Sequence, residues 1–326
     1  MRRTDVHRRR KLATGTAGLL IGLALAATGE SRADSFALNE NSTVELGRAN
    51  SGSTTQTDDA SAAYGNPALM SLFEAPAFTF SLSGVFGADE TFSDRGSTDV
   101  TGAPLGAGAG DFLDDAAVPA VHAIYPLNGR WALGLSVTVP FGLSTSYEAS
   151  WAGRYQAIES ELTTVNVNPS VSYRLSDTLS IGAGLSAQYA EAKLTSAIDF
   201  GAVCLGALGP ADCAALGLLP QTADGRVAIE GDDWGYGFNV GVAWAPSENL
   251  RLGLTYRSQV DQDLKGSGDF TVPPQAAPLT AGGAFADTGG SAALDLPATL
   301  EAGLRWQASE RATLYLNLRW RYWSSV

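Results

Sequence analysis

Beyond residue 76, apolar and polar positions alternate with a period of two. Trp131, Leu133, Leu135, Val137 and Val139 alternate with Ala132, Gly134, Ser136 and Thr138. Leu179, Ile181, Ala183, Leu185, Ala187 and Tyr189 do the same against Ser180, Gly182, Gly184, Ser186 and Gln188. Trp234, Tyr236, Phe238, Val240, Val242 and Trp244 alternate with glycines and Asn239. This period places successive side chains on opposite faces of an extended chain, so these runs are strands. The pattern predicts nine of them, near 76–86, 117–126, 130–148, 156–175, 178–198, 226–245, 249–265, 291–307 and 311–325.

A soluble sandwich also has one apolar face, so alternation alone leaves the class open. The strands here are long, and Trp131, Trp234, Trp244, Trp306 and Trp320 cluster at their ends. That matches a transmembrane barrel, apolar outward and polar inward, with aromatic girdles. In lipid every backbone group must be paired, and strands achieve this only in a closed barrel. Short connections near 127–129, 176–177, 246–248 and 308–310 alternate with longer ones near 87–116, 148–155, 199–224 and 266–290. Short periplasmic turns and longer external loops give the same topology. The predicted fold class is all-β, a transmembrane antiparallel β-barrel. Bacterial single-chain barrels have even strand numbers. Nine is odd, and Tyr322-Trp323-Ser324-Ser325-Val326 falls inside an alternating strand, so a C-terminally truncated barrel is expected.

Composition narrows the function. Charged residues make up 17% of the 326 positions, below the roughly 25% of soluble domains. A mean hydropathy of +0.01 excludes a helical multi-span protein. The net charge of −13 argues against nucleic acid, whose phosphates need a basic footprint. Two histidines and two cysteines leave almost nothing for a metal centre, and no cofactor is expected. The first 33 residues read as a signal peptide: Arg2, Arg3, Arg8, Arg9, Arg10 and Lys11 precede an apolar core and a Ser31-Arg32-Ala33 cleavage site. The alternative, an uncleaved membrane helix, needs a run of about 20 apolar residues, longer than this one.

Several positions carry candidate chemistry. In an oxidising compartment, Cys204 and Cys213 read as a disulfide closing an apolar loop. That loop holds Leu205, Leu208, Leu216, Leu218 and Leu219 with almost no charge. Such a patch is either a binding surface or a small helical lid packed on itself. Phe270 and Phe285 in the next long loop would form the other wall of a groove. Pro140 lacks an N–H, and with Phe141 and Gly142 it reads as a break in strand 3; the plainer reading is the rim end of the strand. Residues 34–75 do not alternate and form either a plug for the lumen or a tail. Asp58-Asp59, Asp114-Asp115 and Asp232-Asp233 read as solvated turns. His122 reads as a structural hydrogen-bonding group inside the barrel. An outer-membrane enzyme would have to use it, and no serine is placed by sequence to pair with it.

Phe36-Ala37-Leu38-Asn39-Glu40, Leu46-Gly47-Arg48-Ala49, Asp58-Asp59-Ala60 and Asn66-Pro67-Ala68-Leu69 resemble the N-terminal hatch of the FadL family of outer-membrane long-chain fatty-acid transporters. Pro119 and His122, Phe141-Gly142-Leu143, Tyr189-Ala190 with Ala192-Lys193, Trp234-Gly235-Tyr236-Gly237, Thr255-Tyr256-Arg257-Ser258 and Trp323-Ser324 extend the resemblance to the C-terminus. It implies a 14-stranded barrel, about nine strands of which are present, over a hatch at 34–75 and a barrel from 76 to 326. It also implies a monomer in the outer membrane of a Gram-negative bacterium, surrounded by lipid. The implied activity is passive uptake of a long-chain fatty acid or another hydrophobic small molecule. Ligand would pass from an external groove (Leu205, Leu208, Leu216, Leu218, Leu219, Phe270, Phe285) to a lumen pocket above the hatch (Phe36, Leu38, Asn39, Glu40, Asn66, Pro67, Ala68). It would leave sideways at Pro140, Phe141 and Gly142. One departure matters. Fatty-acid transporters carry a basic residue shortly after the Ala-Lys pair that helps hold the carboxylate, and here Leu194, Thr195, Ser196 and Ala197 follow Lys193. Relatives carry monoaromatic hydrocarbons such as toluene, so a neutral hydrocarbon competes with a fatty acid. Some relatives serve as secretion-associated anchors.

Overall fold

The computed structural model describes residues 36–87, 91–99 and 102–323. The expected signal peptide at 1–33 and residues 324–326 lie outside the described residues. Ala37–Val326 groups as one compact unit, which leaves Phe36 outside it.

The barrel strands follow the period-two runs. They are β1 (Ala77–Val85), β4 (Ala116–Pro126), β5 (Trp131–Thr138), β7 (Glu159–Arg174), β8 (Leu179–Asp199), β9 (Asp224–Ser247), β10 (Leu250–Arg257), β13 (Thr299–Ser309) and β14 (Ala312–Arg321). Their order in the sheet is their order along the chain, every neighbouring pair is antiparallel, and further segments attach at the side. Those segments are β6 (Gly142–Ser146) on β7, β11 (Val260–Thr271) on β9, and β12 (Thr288–Leu296) on β11. A separate ribbon pairs β2 (Thr91–Phe92) with β3 (Ala109–Asp111) in the first long loop.

The sheet is inside-out relative to a soluble one. In β7, Thr164, Asn166, Asn168, Ser170 and Ser172 are buried, while in β9 Trp234, Tyr236, Phe238, Val240, Val242 and Trp244 are exposed. An apolar exposed face beside a polar buried one is what lipid outside and a filled lumen inside demand.

Three strands expected as straight runs are interrupted. The run 130–148 breaks between β5 and β6 around Pro140, as its proline suggested. The run expected at 249–265 divides after Arg257, and the one at 291–307 divides at Pro297. Proline offers no N–H to a ladder. The expected loop 266–290 shortens to 272–287, because β11 runs on to Thr271 and β12 begins at Thr288.

The N-terminal segment is packed against the inner faces of the strands rather than trailing as a tail. It contains α1 (Thr43–Leu46), α2 (Ala62–Gly65) and a 3-10 turn at Pro67–Leu72. The Ser42 hydroxyl caps α1, and the Asn66 side chain caps the 3-10 turn by accepting from the Ala68 amide. Ala60, Ala62, Ala63, Ala68, Leu69 and Met70 form a buried cluster with Ile124, Ala132 and Ala243 of the strands. Strand glycines make this approach possible. A Cβ on Gly182 would lie 2.4 Å from the Pro67 carbonyl carbon, and one on Gly253 2.0 Å from the Thr54 oxygen.

Candidate functional site

A cavity open to solvent lies between the N-terminal segment and the strands. Leu38, Asn41, Glu45 and Tyr64 line it from the N-terminal segment, and Pro140 and Phe141 from the break in the wall. Asn166, Gln188 and Asn239 add polar groups, and Val260 and Leu296 apolar ones.

The break is a register fault. Thr138 pairs with Asn166, but Gly142 pairs with Thr163, so one extra residue sits on this side. On the other side β4 pairs with β5 only as far as Val121 and Val137, and the next bridge is Leu113 to Thr145. Within that gap the Thr164 hydroxyl takes the place of a strand. It accepts from the Phe141 N–H at 3.0 Å and donates to the Phe141 carbonyl at 2.7 Å.

The N-terminal chain fills the other side of the gap. The Leu38 N–H donates to the Pro140 carbonyl at 2.9 Å, and Ala37 bridges Phe141. A Cβ on Gly142 would lie 3.0 Å from Leu38 Cδ1. Further along, the Asn41 carbonyl lies 2.8 Å from His122 Nε2, whose ring also meets the Ser136 hydroxyl. The Asn39 side-chain oxygen accepts from Arg319 and Arg321 on the last strand. Residues 37–41 therefore form a strap from strand β4 and the break to strand β14.

Three arginines reach the cavity: Arg257, Arg319 and Arg321. Arg319 is paired with Glu301 at 2.8 Å. Arg257 is held by neutral groups, with its guanidinium 4.1 Å over the Tyr64 ring and bonded to the Tyr64 carbonyl and the Ser186 hydroxyl. Among the described residues no carboxylate lies within ion-pair distance of it. A guanidinium offers a planar fork to a carboxylate, two N–H groups to two oxygens. In the sequence Arg257 figures only within the family-like Thr255-Tyr256-Arg257-Ser258 block, and Arg319 and Arg321, which come from a separate strand, carry no signal. Lys193 is engaged elsewhere, at 3.2 Å from Glu159 and 3.8 Å from Glu230.

Glu45 lies beneath the arginines, almost fully buried. Burial pushes its carboxyl up from 4.5 to about 7, opposed by the Gln56 hydrogen bond and reinforced by Glu301 and Asp59.

The other expected site residues are placed as follows. Leu38, Pro140 and Phe141 line the cavity, and Gly142 touches Leu38 beside it. Asn39 and Glu40 do not line it; Asn39 bonds the two arginines, and Glu40 accepts from the Asn39 amide. Asn66, Pro67 and Ala68 anchor the segment instead: Asn66 donates to the Thr54 and Val242 carbonyls, and the Ser172 hydroxyl donates to Ala68. Phe36 falls outside the unit that holds the site.

The external loops meet as a core. Cys204 of α3 (Phe200–Ala207) is joined to Cys213 of α4 (Pro210–Ala215). Leu218 is fully buried there with Phe200 and Ala276, and Leu205, Leu216, Leu279 and Phe285 pack around them. Phe285 lies 4.9 Å from Phe200 and 5.9 Å from Phe270, ring to ring. Of the leucines expected in a groove, Leu208 and Leu219 are exposed. The lid reading of this loop describes Leu218 better than the groove reading does.

These features define a class: an outer-membrane β-barrel whose N-terminal segment packs on the polar faces of its strands. The chain belongs to the outer membrane protein transport protein family (OMPP1/FadL/TodX), whose profile matches residues 24–326. It is 32% identical to the long-chain fatty acid transport protein of Escherichia coli over 319 residues, which cover 94% of this chain and 69% of that protein. It is 32% identical to the 47 kDa outer membrane protein of Pasteurella multocida, over 95% of this chain and 70% of the relative. Among solved structures it is similar to a FadL homologue of Pseudomonas aeruginosa, with a TM-score of 0.75 and 25% identity over 89% of this chain and 70% of that one. The Pseudomonas putida toluene transporter TodX shares the fold, with a TM-score of 0.60 and 21% identity over 85% and 69% of the two chains.

Proposed function

We propose that the protein carries long-chain fatty acids passively through the outer membrane. The alkyl chain lies in the cavity against Leu38, Phe141, Val260 and Leu296, with the carboxylate on Arg257. Residues 34–75 act as the hatch, and movement of the strap at residues 37–41 uncovers the break at Pro140–Gly142, through which the solute reaches the bilayer. One observation carries the reading: a guanidinium with neutral partners lines the same cavity as the broken wall. Burying alkyl carbon yields about 0.8 kcal/mol per CH2, so chain length supplies affinity and the arginine supplies the end-group preference. The curated relative named for long-chain fatty acid transport supports the same substrate class.

Cells producing the protein should take up radiolabelled oleate faster than the same strain without it. Equal rates would remove the reading. Uptake of toluene but not oleate would replace it with a neutral-hydrocarbon channel, and a stable protein partner on pull-down without solute flux would point to a secretion-associated barrel.

A further inference from the structure

The wall has a second register fault on the same cavity. Arg257 of β10 pairs with Asn239 of β9, and Lys265 of β11 pairs with Asp232. Between these points residues 258–264 and 233–238 form no ladder with each other, and one extra residue lies on the β10–β11 side. Strand β9 itself stays in the wall, since its pairing with β8 continues unbroken through Gly235 and Gly237. The turn is made by the other partner. A Cβ on Gly235 would lie 2.5 Å from Val260 Cγ1, and one on Gly237 would lie 2.7 Å from the Ser258 hydroxyl. The Gln262 side chain reaches past β9 to donate to the Gln188 carbonyl of β8 at 3.0 Å. The start of β11 therefore lies across the inner face of β9, on glycines that leave room for it.

Little backbone pairing crosses this seam, and side chains supplement it. The Ser258 N–H donates to the Phe238 carbonyl at 2.9 Å, and the Ser258 hydroxyl accepts from the Phe238 N–H at 2.9 Å. The Asp233 carboxylate accepts from the Asp263 N–H at 2.9 Å. Thr164 plays the same part at Phe141. The two faults are joined by one row of paired residues, Thr138 to Asn166 to Gln188 to Gly235. Both border one cavity: Pro140 and Phe141 on one side, Ser258, Val260 and Pro297 on the other. Outside the second seam lie the exposed rings of Tyr236 and Phe238. A barrel wall is sealed in lipid by its backbone ladder. A stretch closed by one backbone bond and two side-chain bonds opens at less cost than a full ladder, because each such bond contributes only about 1 kcal/mol net.

We propose that the seam between β9 and the β10–β11 junction is a second lateral port, through which an apolar solute in the cavity passes into the bilayer. The inference rests on the transport reading above. The test is a reversible lock. Gly237→Cys with Ser258→Cys places two thiols across the seam, and uptake of radiolabelled oleate is measured after oxidation and again after reduction, with the unsubstituted protein treated alike. Initial uptake should fall by about threefold or more on oxidation and recover on reduction, with no change in the unsubstituted protein. Unchanged uptake with the crosslink complete overturns the port and leaves the break at Pro140 as the exit. If the unsubstituted protein takes up neither oleate nor toluene, the transport reading itself fails and the port falls with it. Should the double variant not assemble, Ser258→Ala removes the acceptor from Phe238 N–H, and uptake should rise; an unaltered rate would count against the port.

Discussion

Leu38 and Pro140, a hundred residues apart in sequence, share a backbone hydrogen bond of 2.9 Å across a gap in the barrel wall. The N-terminal segment thereby pairs with the wall where its own ladder is interrupted. Replacing Pro140-Phe141-Gly142 with Val-Thr-Val should let the ladder close. Uptake should be lost while the barrel keeps its resistance to unfolding in detergent on gels. Normal flux in that variant would exclude exit at this break.

Thr164 holds the Phe141 peptide by both its N–H and its carbonyl. Thr164→Val keeps the shape and leaves both backbone groups without that partner. We expect a loss of about 1–3 kcal/mol in urea unfolding of the reconstituted protein. An unchanged midpoint would mean that water or the strap takes over both bonds.

Arg257→Leu should weaken oleate binding about tenfold or more, since a charged hydrogen bond contributes roughly 1.5–3 kcal/mol. Toluene uptake should be unaffected. The comparison is direct, using tryptophan quenching or isothermal titration for oleate and cell uptake for toluene. Equal loss for both solutes would assign Arg257 to holding Tyr64 rather than to the carboxylate.

Glu45 gives the packing of the N-terminal segment a pH dependence. Its carboxyl is raised from 4.5 to about 7, so the folded state binds its proton more tightly than the unfolded chain does. The associated stability is complete below about pH 4.5 and is lost as pH rises to about 7, up to roughly 3 kcal/mol in all. Asp59 and Glu301 push in the same direction, and Arg319 opposes them. Amides of residues 43–61 should exchange with deuterium faster at pH 8 than at pH 5, after correction for intrinsic rates. Glu45→Gln should abolish the difference; if it persists there, another group is responsible.

Gly253→Val should expel the segment from the lumen, because its Cβ would collide with the Thr54 carbonyl. Planar-bilayer recordings should then show ion conductance absent from the unsubstituted protein. A silent variant would show that the segment can shift along β10 without leaving.

The alternating runs made the barrel legible in the sequence, and a proline with a glycine two residues later marked the first break. The second break escaped notice for a physical reason. Leu254, Tyr256 and Val260 keep the period of two on both sides of it, although Leu254 is exposed and Val260 lines the cavity, so the pattern carries no trace of the change of course. The clues were Gly235 and Gly237 on the opposing strand and Pro297 beside the junction. Asn66-Pro67-Ala68 read as pocket residues because they resemble the family's hatch, whereas Asn66 spends its side chain on the Thr54 and Val242 carbonyls and on the Ala68 amide. Arg319 and Arg321 meet Asn39, and Arg257 meets Tyr64, only because the N-terminal segment folds back on the strands, a relation that no local pattern encodes.

The polar lumen face has a consequence before the barrel exists. An outer-membrane protein must first be threaded through the inner membrane, where a long greasy stretch would be released sideways as an anchor. Interleaving Thr164, Asn166, Asn168, Ser170 and Ser172 with the lipid-facing residues of β7 dilutes every such stretch. The polar residues that the finished sheet buries thus act first as a travel permit, keeping the nascent chain water-compatible until it reaches the membrane it is built for.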